Sequence, residues 1–267
     1  MTFSVNTNTG AMAALQNLSA TNRNLDVTQG RINTGLRVSG TKDDSAAYTI
    51  AQKLRGDVGG LAAVTSSLSR AKSTVDVAIA GAEQISDLMN QMRSKVLEAS
   101  DSGLDSTSKA QITVDVTALQ TQIKSIIKSS TFNGTNLLDA STGPTASIAA
   151  LKSADTTDTL TVAHTDLASS LGTIASGTVT MADFASAEAN MKTVLSTLGS
   201  AARQLDGQLS FTGKLSDVIE SGIGNLVDAD LAKESAKLQG LQVKQQLGLQ
   251  ALSIANQSPQ SIMSLFR

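Results

Sequence analysis

The chain has no cysteine, no tryptophan, one histidine and one tyrosine in 267 residues. Without cysteine there is no disulfide framework and no thiolate to act as nucleophile or metal ligand, and the redox compartment is left open. With His164 as the sole histidine, a histidine-based metal cluster or a Ser-His-Asp triad would have to be built on that one residue. It lacks partners in the surrounding sequence and is expected to be a solvated loop residue. Aromatic residues make up only 2% of the chain. Ligand pockets and compact cores usually lean on large rings, so the core here must come from Leu, Ile, Val, Met and Ala. That palette suits long packed helices, and an apolar fraction of 40% is enough for one or two domains. Neither sign of charge is in excess, with 21 basic and 23 acidic residues and a net charge of -2. Nucleic acid therefore finds no electrostatic footprint. No run of about 18 apolar residues would cross a membrane, and the start lacks the basic and apolar blocks of a secretory signal. A secreted role would need a route that cleaves no signal peptide.

Charge is also missing locally. The 22 residues Met1 to Asn22 carry no charged side chain, and neither do the 22 residues Gln245 to Phe266. Both stretches are rich in Ser, Thr, Asn and Gln, whose hydroxyl and amide groups satisfy one another by hydrogen bonding when a surface is buried. The two ends are thus written for one shared environment, and the pattern points to assembly rather than catalysis.

From Ala47 to Ala99 the apolar positions hold a heptad. Ala47, Leu54, Leu61, Leu68, Val75, Ala82, Met89 and Val96 form one seam, and Ile50, Asp57, Val64, Ala71, Ala78, Ile85, Met92 and Ala99 its companion. A period of about 3.5 residues is the coiled-coil signature. Thr41 followed by Asp44 reads as a capping start and Asp101-Ser102-Gly103 as the stop. One helix of nearly 60 residues would span about 85 Å at roughly 1.5 Å per residue. A second helix is predicted from Asp105 or Ser106 to Ser129, with Ile112, Val116, Leu119, Ile123 and Ile126 on its buried stripe. The short connection makes it antiparallel to the first. A third begins after Asp183 and carries Met191, Leu195, Leu198, Ala202, Leu205, Leu209, Thr212, Ser216, Ile219, Ile223 and Leu226.

The ends repeat the spacing more weakly, through Ala11, Leu15, Leu18, Asn22, Leu25, Gln29, Ile32 and Leu36, and through Leu231, Leu238, Leu241, Gln245, Leu249 and Leu252. Asn22, Gln29 and Gln245 cost stability there and set register. With so little core of their own, these helices are expected to order only on assembly. Between residues 140 and 182 the long period vanishes, and 16 of 43 residues are Ser or Thr. Asn133-Gly134 just before this insert is a turn signal, while Thr159–Ala163 and Gly177–Met181 alternate as short strands. A small β element fits best, against the alternative of a flexible hydroxyl-rich loop.

Nothing here looks catalytic. Gly56-Asp57-Val58-Gly59-Gly60 lacks the GK[ST] ending of a phosphate loop and sits inside a helical pattern. Asp43 and Asp44 lie where carboxylates favour a helix N-terminus. Asp228 and Asp230 mark the break before the last helix, and Met89 and Met92 fill seam positions.

Several runs are specific enough to resemble a known family. Val5-Asn6-Thr7-Asn8 followed by Ala14-Leu15-Gln16-Asn17-Leu18 is similar to the N-terminal signature of bacterial flagellins. The run Arg31 to Asp44 resembles the family's motif between inner and outer helical domains, and Thr131-Phe132-Asn133-Gly134 with Leu137-Leu138 its turn after the second long helix. Asp228-Ala229-Asp230, Gln239 to Gln246, and Ala255 to Gln260 closing on Leu265-Phe266-Arg267 resemble its C-terminus.

The resemblance implies a mainly α fold of long antiparallel helical rods and a terminal coiled coil, with a small β-hairpin in the central insert. Residues 1–37 and 228–267 would pair as the inner domain lining a filament channel. Residues 38–139 and 183–227 would form the surrounding rods, and the short insert 140–182 would face outward. It implies a structural subunit that polymerises into the flagellar filament, with no reaction catalysed and no cofactor, metal, nucleic acid or membrane involved. Its partners would be further copies of itself, alone or mixed with related flagellins, an export chaperone at the C-terminal segment, and the filament-cap and hook-junction proteins. Candidate assembly residues are Leu15, Leu18, Leu25, Ile32, Leu36, Leu238, Leu241, Leu249 and Leu252. In the stretch Met89 to Glu98, Arg93 matches the pattern seen by the vertebrate innate receptor. Gln91 and Lys95 depart from it, so weak activation is expected. Two rival readings are a hook–filament junction protein with similar ends and a membrane-disrupting translocator using those ends as amphipathic inserts.

Overall fold

The computed structural model describes residues 7–139, 147–155, 157–174 and 178–263. Val5, Asn6 and Leu265 to Arg267 of the recognised motifs, and Gly177 of the second expected strand, lie outside these residues. The elements are α1 (Thr9–Thr34), α2 (Ser45–Ala99), α3 (Ser106–Ser129), β1 (Thr131–Phe132), β2 (Thr135–Asn136), β3 (Ser147–Leu151), β4 (Thr159–Ala163), α4 (Leu167–Leu171), a 3-10 turn (Gly172–Ile174), α5 (Met181–Val227) and α6 (Leu231–Met263). The fold is mainly α with two small antiparallel hairpins. Contacts divide it into one unit of residues 1–56 and 218–267 and another of residues 57–217.

In the 57–217 unit, α2, α3 and α5 share one core. The α2 seam holds from Leu61 onward: Leu68, Val75, Ala82, Ile85 and Met92 are fully buried. On α3, Ile112, Val116 and Ile123 are buried as expected, while Gln120 and Ile127 take the places given to Leu119 and Ile126, which are half-buried. Asp105 caps α3 through the backbone N–H groups of Thr107 and Ser108. Lys95 pairs with Asp115 at 3.7 Å, and Arg93 with Glu188 at 3.4 Å. A further pair joins Lys72 to Asp206. The two α5 pairs run in opposite chain order, as do Lys95–Asp115 and the approach of Gly81 to Ser130 at the end of α3, so α3 and α5 are both antiparallel to α2.

The turn after α3 shows why Thr131 to Leu138 reads as it does. Asn133 (φ 49°) and Gly134 (φ 78°) take the left-handed conformation that a tight hairpin demands. Buried Asn136 then donates through Nδ2 to the Ile127 carbonyl at 2.7 Å and accepts the Leu138 N–H at 2.8 Å. This steers Leu137 and Leu138 into full burial. Gly81 of α2 makes room, since a Cβ there would stand 2.3 Å from Ser130 Oγ and 3.1 Å from Leu138 Cδ1.

The expected β element exists with a different partner. Thr159–Ala163 pairs antiparallel with Ser147–Leu151, Leu151 opposite Thr159. The described residues of the other proposed strand instead lead into α5, where Thr180 donates through its N–H and hydroxyl to Asp183. With the Asp183 N–H returning to the Thr180 carbonyl at 3.1 Å, this cap starts the helix at Met181, earlier than the apolar pattern alone suggests. His164 is also a correction. It directly follows β4, is half-buried, and its Nε2 is closed off from solvent with no hydrogen-bond partner among the described residues.

In the unit of residues 1–56 and 218–267, Val38, Ala51 and Val227 form a compact core with Leu36, Ala47, Tyr48, Ile223 and Leu226. Ala51 takes the buried place on this part of α2, leaving Ile50 of the predicted seam exposed. Gly35 ends α1 in the left-handed conformation (φ 70°), turning the chain so that Leu36 bridges Asp228. The N–H groups of Arg37 and Val38 both reach the Val227 carbonyl, at 2.7 and 3.2 Å. Asp44 starts α2 by accepting from the N–H groups of Ala46 and Ala47, and Asp230 starts α6 by accepting from those of Ala232 and Lys233. Asp43 accepts from the backbone N–H and the hydroxyl of Ser39, and both bonds hold its carboxyl below the usual carboxylate range. The acidic residues flagged in the sequence are capping and loop-closing groups.

Candidate assembly surface

α1 and α6 pack antiparallel, tied by polar clamps at matching heights. Asn8 caps α1 through its Oδ1, which accepts the Ala11 N–H, and donates through Nδ2 to the Ala255 carbonyl at 2.7 Å. Gln245 donates to Asn22 at 2.8 Å. Arg31 pairs with Glu234 at 3.1 Å, both largely shielded from water. Amides and one ion pair thus fix the register, as expected for Asn22 and Gln245; Gln29 is exposed and lies outside these clamps.

Between the clamps the seam follows a strict alternation of three and four residues. On α1 it runs Ala11, Ala14, Leu18, Thr21, Leu25, Thr28 and Ile32, all buried or half-buried. On α6 it runs Glu234, Leu238, Leu241, Gln245, Gly248, Leu252 and Ala255. Gly248 lets the helices close up, because a Cβ there would meet Leu18 Cδ1 at 3.3 Å. Of the candidate residues, Leu18, Leu25, Ile32, Leu238, Leu241 and Leu252 therefore lie in this seam, and Leu36 packs on the small core beneath it. Leu15 (56% exposed) and Leu249 (54% exposed) point away from it.

These two are not alone. Met12 and Val27 on α1, and Val243, Leu247 and Ile254 on α6, are likewise exposed. Both helices thus leave apolar side chains uncovered beside the seam; on α6, Val243, Leu247 and Ile254 share one face and Leu249 lies on another. Sequence reading missed Ala14, Thr21, Thr28 and Gly248 because small residues carry little hydrophobic signal. Arg31 and Glu234, opposite charges that pair between the two helices, were the available clue.

Among the described residues no three His, Cys, Asp or Glu side chains could hold a metal ion, and no helix is long and apolar enough to cross a membrane. A cleft of about 570 Å³ in the 57–217 unit, lined by residues such as Val96, Ile112, Val116, Thr178 and Met181, presents no titratable side chain.

Comparison with known proteins decides the family. The bacterial flagellin N-terminal helical region matches residues 5–143 and the bacterial flagellin C-terminal helical region residues 179–266. The chain belongs to the bacterial flagellin family. It is 43% identical over 274 residues to flagellin FljM of Caulobacter vibrioides, covering 99% of this chain and 98% of that one. It is also 37% identical over 286 residues to a flagellin of Brucella melitensis, covering 99% of each. A solved flagellin of Bacillus cereus aligns with 64% of this chain and 93% of its own, at 22% identity and a TM-score of 0.38. The chain is a structural subunit of the flagellar filament and not an enzyme. Both family regions stop at the insert, leaving 144–178 unmatched.

Proposed function

We propose that this flagellin polymerises through the faces of α1 and α6 that its own seam leaves uncovered. The supporting observation is a set of large exposed apolar side chains, Met12, Leu15, Val243, Leu247, Leu249 and Ile254, on the two helices whose outer stretches carry no charge. Water makes such a surface costly in a lone subunit, and burial against neighbours removes the cost. Different patches meeting head to tail generate an open helix from one kind of subunit. In this reading Leu18, Leu25, Ile32, Leu36, Leu238, Leu241 and Leu252 hold the two helices as one body. Leu15 and Leu249 touch the next copies.

The domain roles follow the same reading: residues 1–37 and 228–267 line the channel, 38–139 and 183–227 make the surrounding wall, and 140–182 face outward. An export chaperone covering the exposed stripe of α6 would keep it from premature association, and passage through an export channel would require no cleaved signal. Cap and hook-junction proteins would meet the same surface at the filament's ends, and related flagellins could join where they share it. Electron microscopy of the purified, polymerised chain tests the proposal: hollow filaments with α1 and α6 innermost are expected, and filaments with these helices on the outside would defeat it.

A further inference from the structure

The methionines of the chain stand in unlike surroundings. Met89, Met92 and Met191 are buried in the core of the 57–217 unit, and Met181, which opens α5, is half-buried. Met12, by contrast, is 60% exposed in the first turn of α1. Its N–H is bonded to the Asn8 carbonyl at 3.1 Å, so the backbone is fixed and the thioether is left to solvent. Asn8, one turn away, grips the Ala255 carbonyl, which places Met12 at the end of the α1–α6 pair where Ile254 is also uncovered. No charged side chain occurs from Met1 to Asn22. A neighbour covering this end of α1 therefore gains apolar contact and hydrogen bonds between neutral groups, without ion pairs.

With no cysteine present, thioethers are the only sulfur the chain offers to an oxidant. A sulfur lone pair attacks one oxygen of a hydroperoxide, and the O–O bond breaks as the S–O bond forms. The departing oxygen takes the proton left on the transferred one, so hydrogen peroxide gives one sulfoxide and one water. Access to the sulfur governs the rate, and the product is a polar side chain where an apolar one stood. Resting on the assembly face described above, we propose that Met12 is an oxidation site that controls entry into the polymer. Hydroperoxides convert it in the free subunit, and the sulfoxide, which needs a hydrogen-bond donor when buried, weakens the contact with the next copy. A neighbour that covers Met12 shields its sulfur, so an assembled subunit is protected while an oxidised free one is held back.

Hydrogen peroxide applied to the full, dilute chain, followed by peptide mass spectrometry, should convert Met12 at least about tenfold faster than Met89, Met92 and Met191. Sedimentation of the treated chain should then show a critical concentration roughly tenfold above the untreated value, the scale set by burying a polar group without a partner. Its helical signal should be unchanged. Met12→Leu, compared with its own untreated value, should show no such rise, and methionine sulfoxide reductases should reverse the rise in the unsubstituted chain. In filaments treated after assembly, Met12 should convert about tenfold more slowly than in the free chain. Conversion of Met12 no faster than that of the buried methionines, equal rates in filament and free chain, or a rise as large in Met12→Leu would each overturn the oxidation site. Full conversion of Met12 with no rise would overturn it too, and Leu15→Asp separates the causes. If that substitution still hinders polymerisation, the assembly face stands and the oxidation site alone falls.

Discussion

Leu15 and Leu25 sit on one helix, ten positions apart, with opposite surroundings: Leu15 is 56% exposed and Leu25 is 9% exposed. Replacing each by Asp separates holding the terminal helices together from joining subunits. For Leu15, roughly 100 Å² remains in water in the lone chain, worth about 2.5 kcal/mol if neighbours bury it at about 25 cal/mol per Å². At about 1.4 kcal/mol per factor of ten, Leu15→Asp should raise the critical concentration for polymerisation by roughly 50-fold, and more once the cost of burying a carboxylate is added. The dissolved chain should keep its full helical signal. Leu25→Asp, by contrast, removes a buried seam residue and sets an unpaired charge between α1 and α6. Those helices, 26 and 33 residues long, are paired within the single chain rather than ordered only on assembly as their spacing predicts, and should lose helicity before any polymer forms. Circular dichroism of the dilute chain and sedimentation of the polymer read the two effects independently. Polymerisation of Leu15→Asp at the unsubstituted critical concentration would refute the outer face as an assembly surface. Undiminished helicity in Leu25→Asp would refute the seam.

Gly81→Ala should destabilise the chain by about 1–3 kcal/mol, because the new methyl displaces Ser130 Oγ from its 2.7 Å bond to the Ile126 carbonyl and presses on Leu138; an unshifted urea midpoint would contradict this. Asn136→Ala strands the Ile127 carbonyl and the Leu138 N–H in the core, a loss of about 2–5 kcal/mol in chemical denaturation. Acid should weaken the fold. Asp105 (Ser108 hydroxyl), Asp43 and Asp155 (backbone N–H groups of Ser39 and Thr157), Asp166 (Ser169 hydroxyl) and Glu188 (Lys192) are all held below the ordinary carboxylate range by hydrogen bonds. Their stabilisation is present in full above the unfolded value near pH 4 and is lost as pH falls through the lower folded values. A melting temperature that rises between pH 5 and pH 3 would be the wrong sign. Cells carrying the innate flagellin receptor should respond weakly to the purified chain, since Gln91 and Lys95 alter the patch around Arg93; a full-strength reporter signal would contradict that.

How far the sequence was legible depended on where each stripe finds its partner. The α2 seam from Leu61 to Val96 was readable residue by residue, because large side chains there pack on α3 and α5 of the same chain and no second stripe competes. Caps were readable too, since Asp44, Asp105 and Asp230 act on N–H groups two or three residues away. The strand partner of Thr159–Ala163 was not, because Ser147–Leu151 is rich in alanine and shows no alternation, whereas the alternating residues after Gly177 are claimed by the cap of α5.

The terminal helices expose the limit in its sharpest form. Ala11, Leu18, Leu25 and Ile32 lie in the seam as the spacing predicts, but the intervening seam positions are Ala14, Thr21 and Thr28 rather than Leu15, Asn22 and Gln29. A one-position shift on a helix turns the side chain by about 100°, enough to trade the inner stripe for the outer. Hydrophobicity favours Leu15 over Ala14, and for an isolated protein that preference would be right. Here Gly248 makes room for Leu18, and the seam positions between the large residues of α1 are filled by Ala14, Thr21 and Thr28, which leaves Leu15 uncovered. The shift in phase supports the proposed assembly face, since Leu15 turned outward on a helix already paired inside its own chain leaves a surface for a second partner.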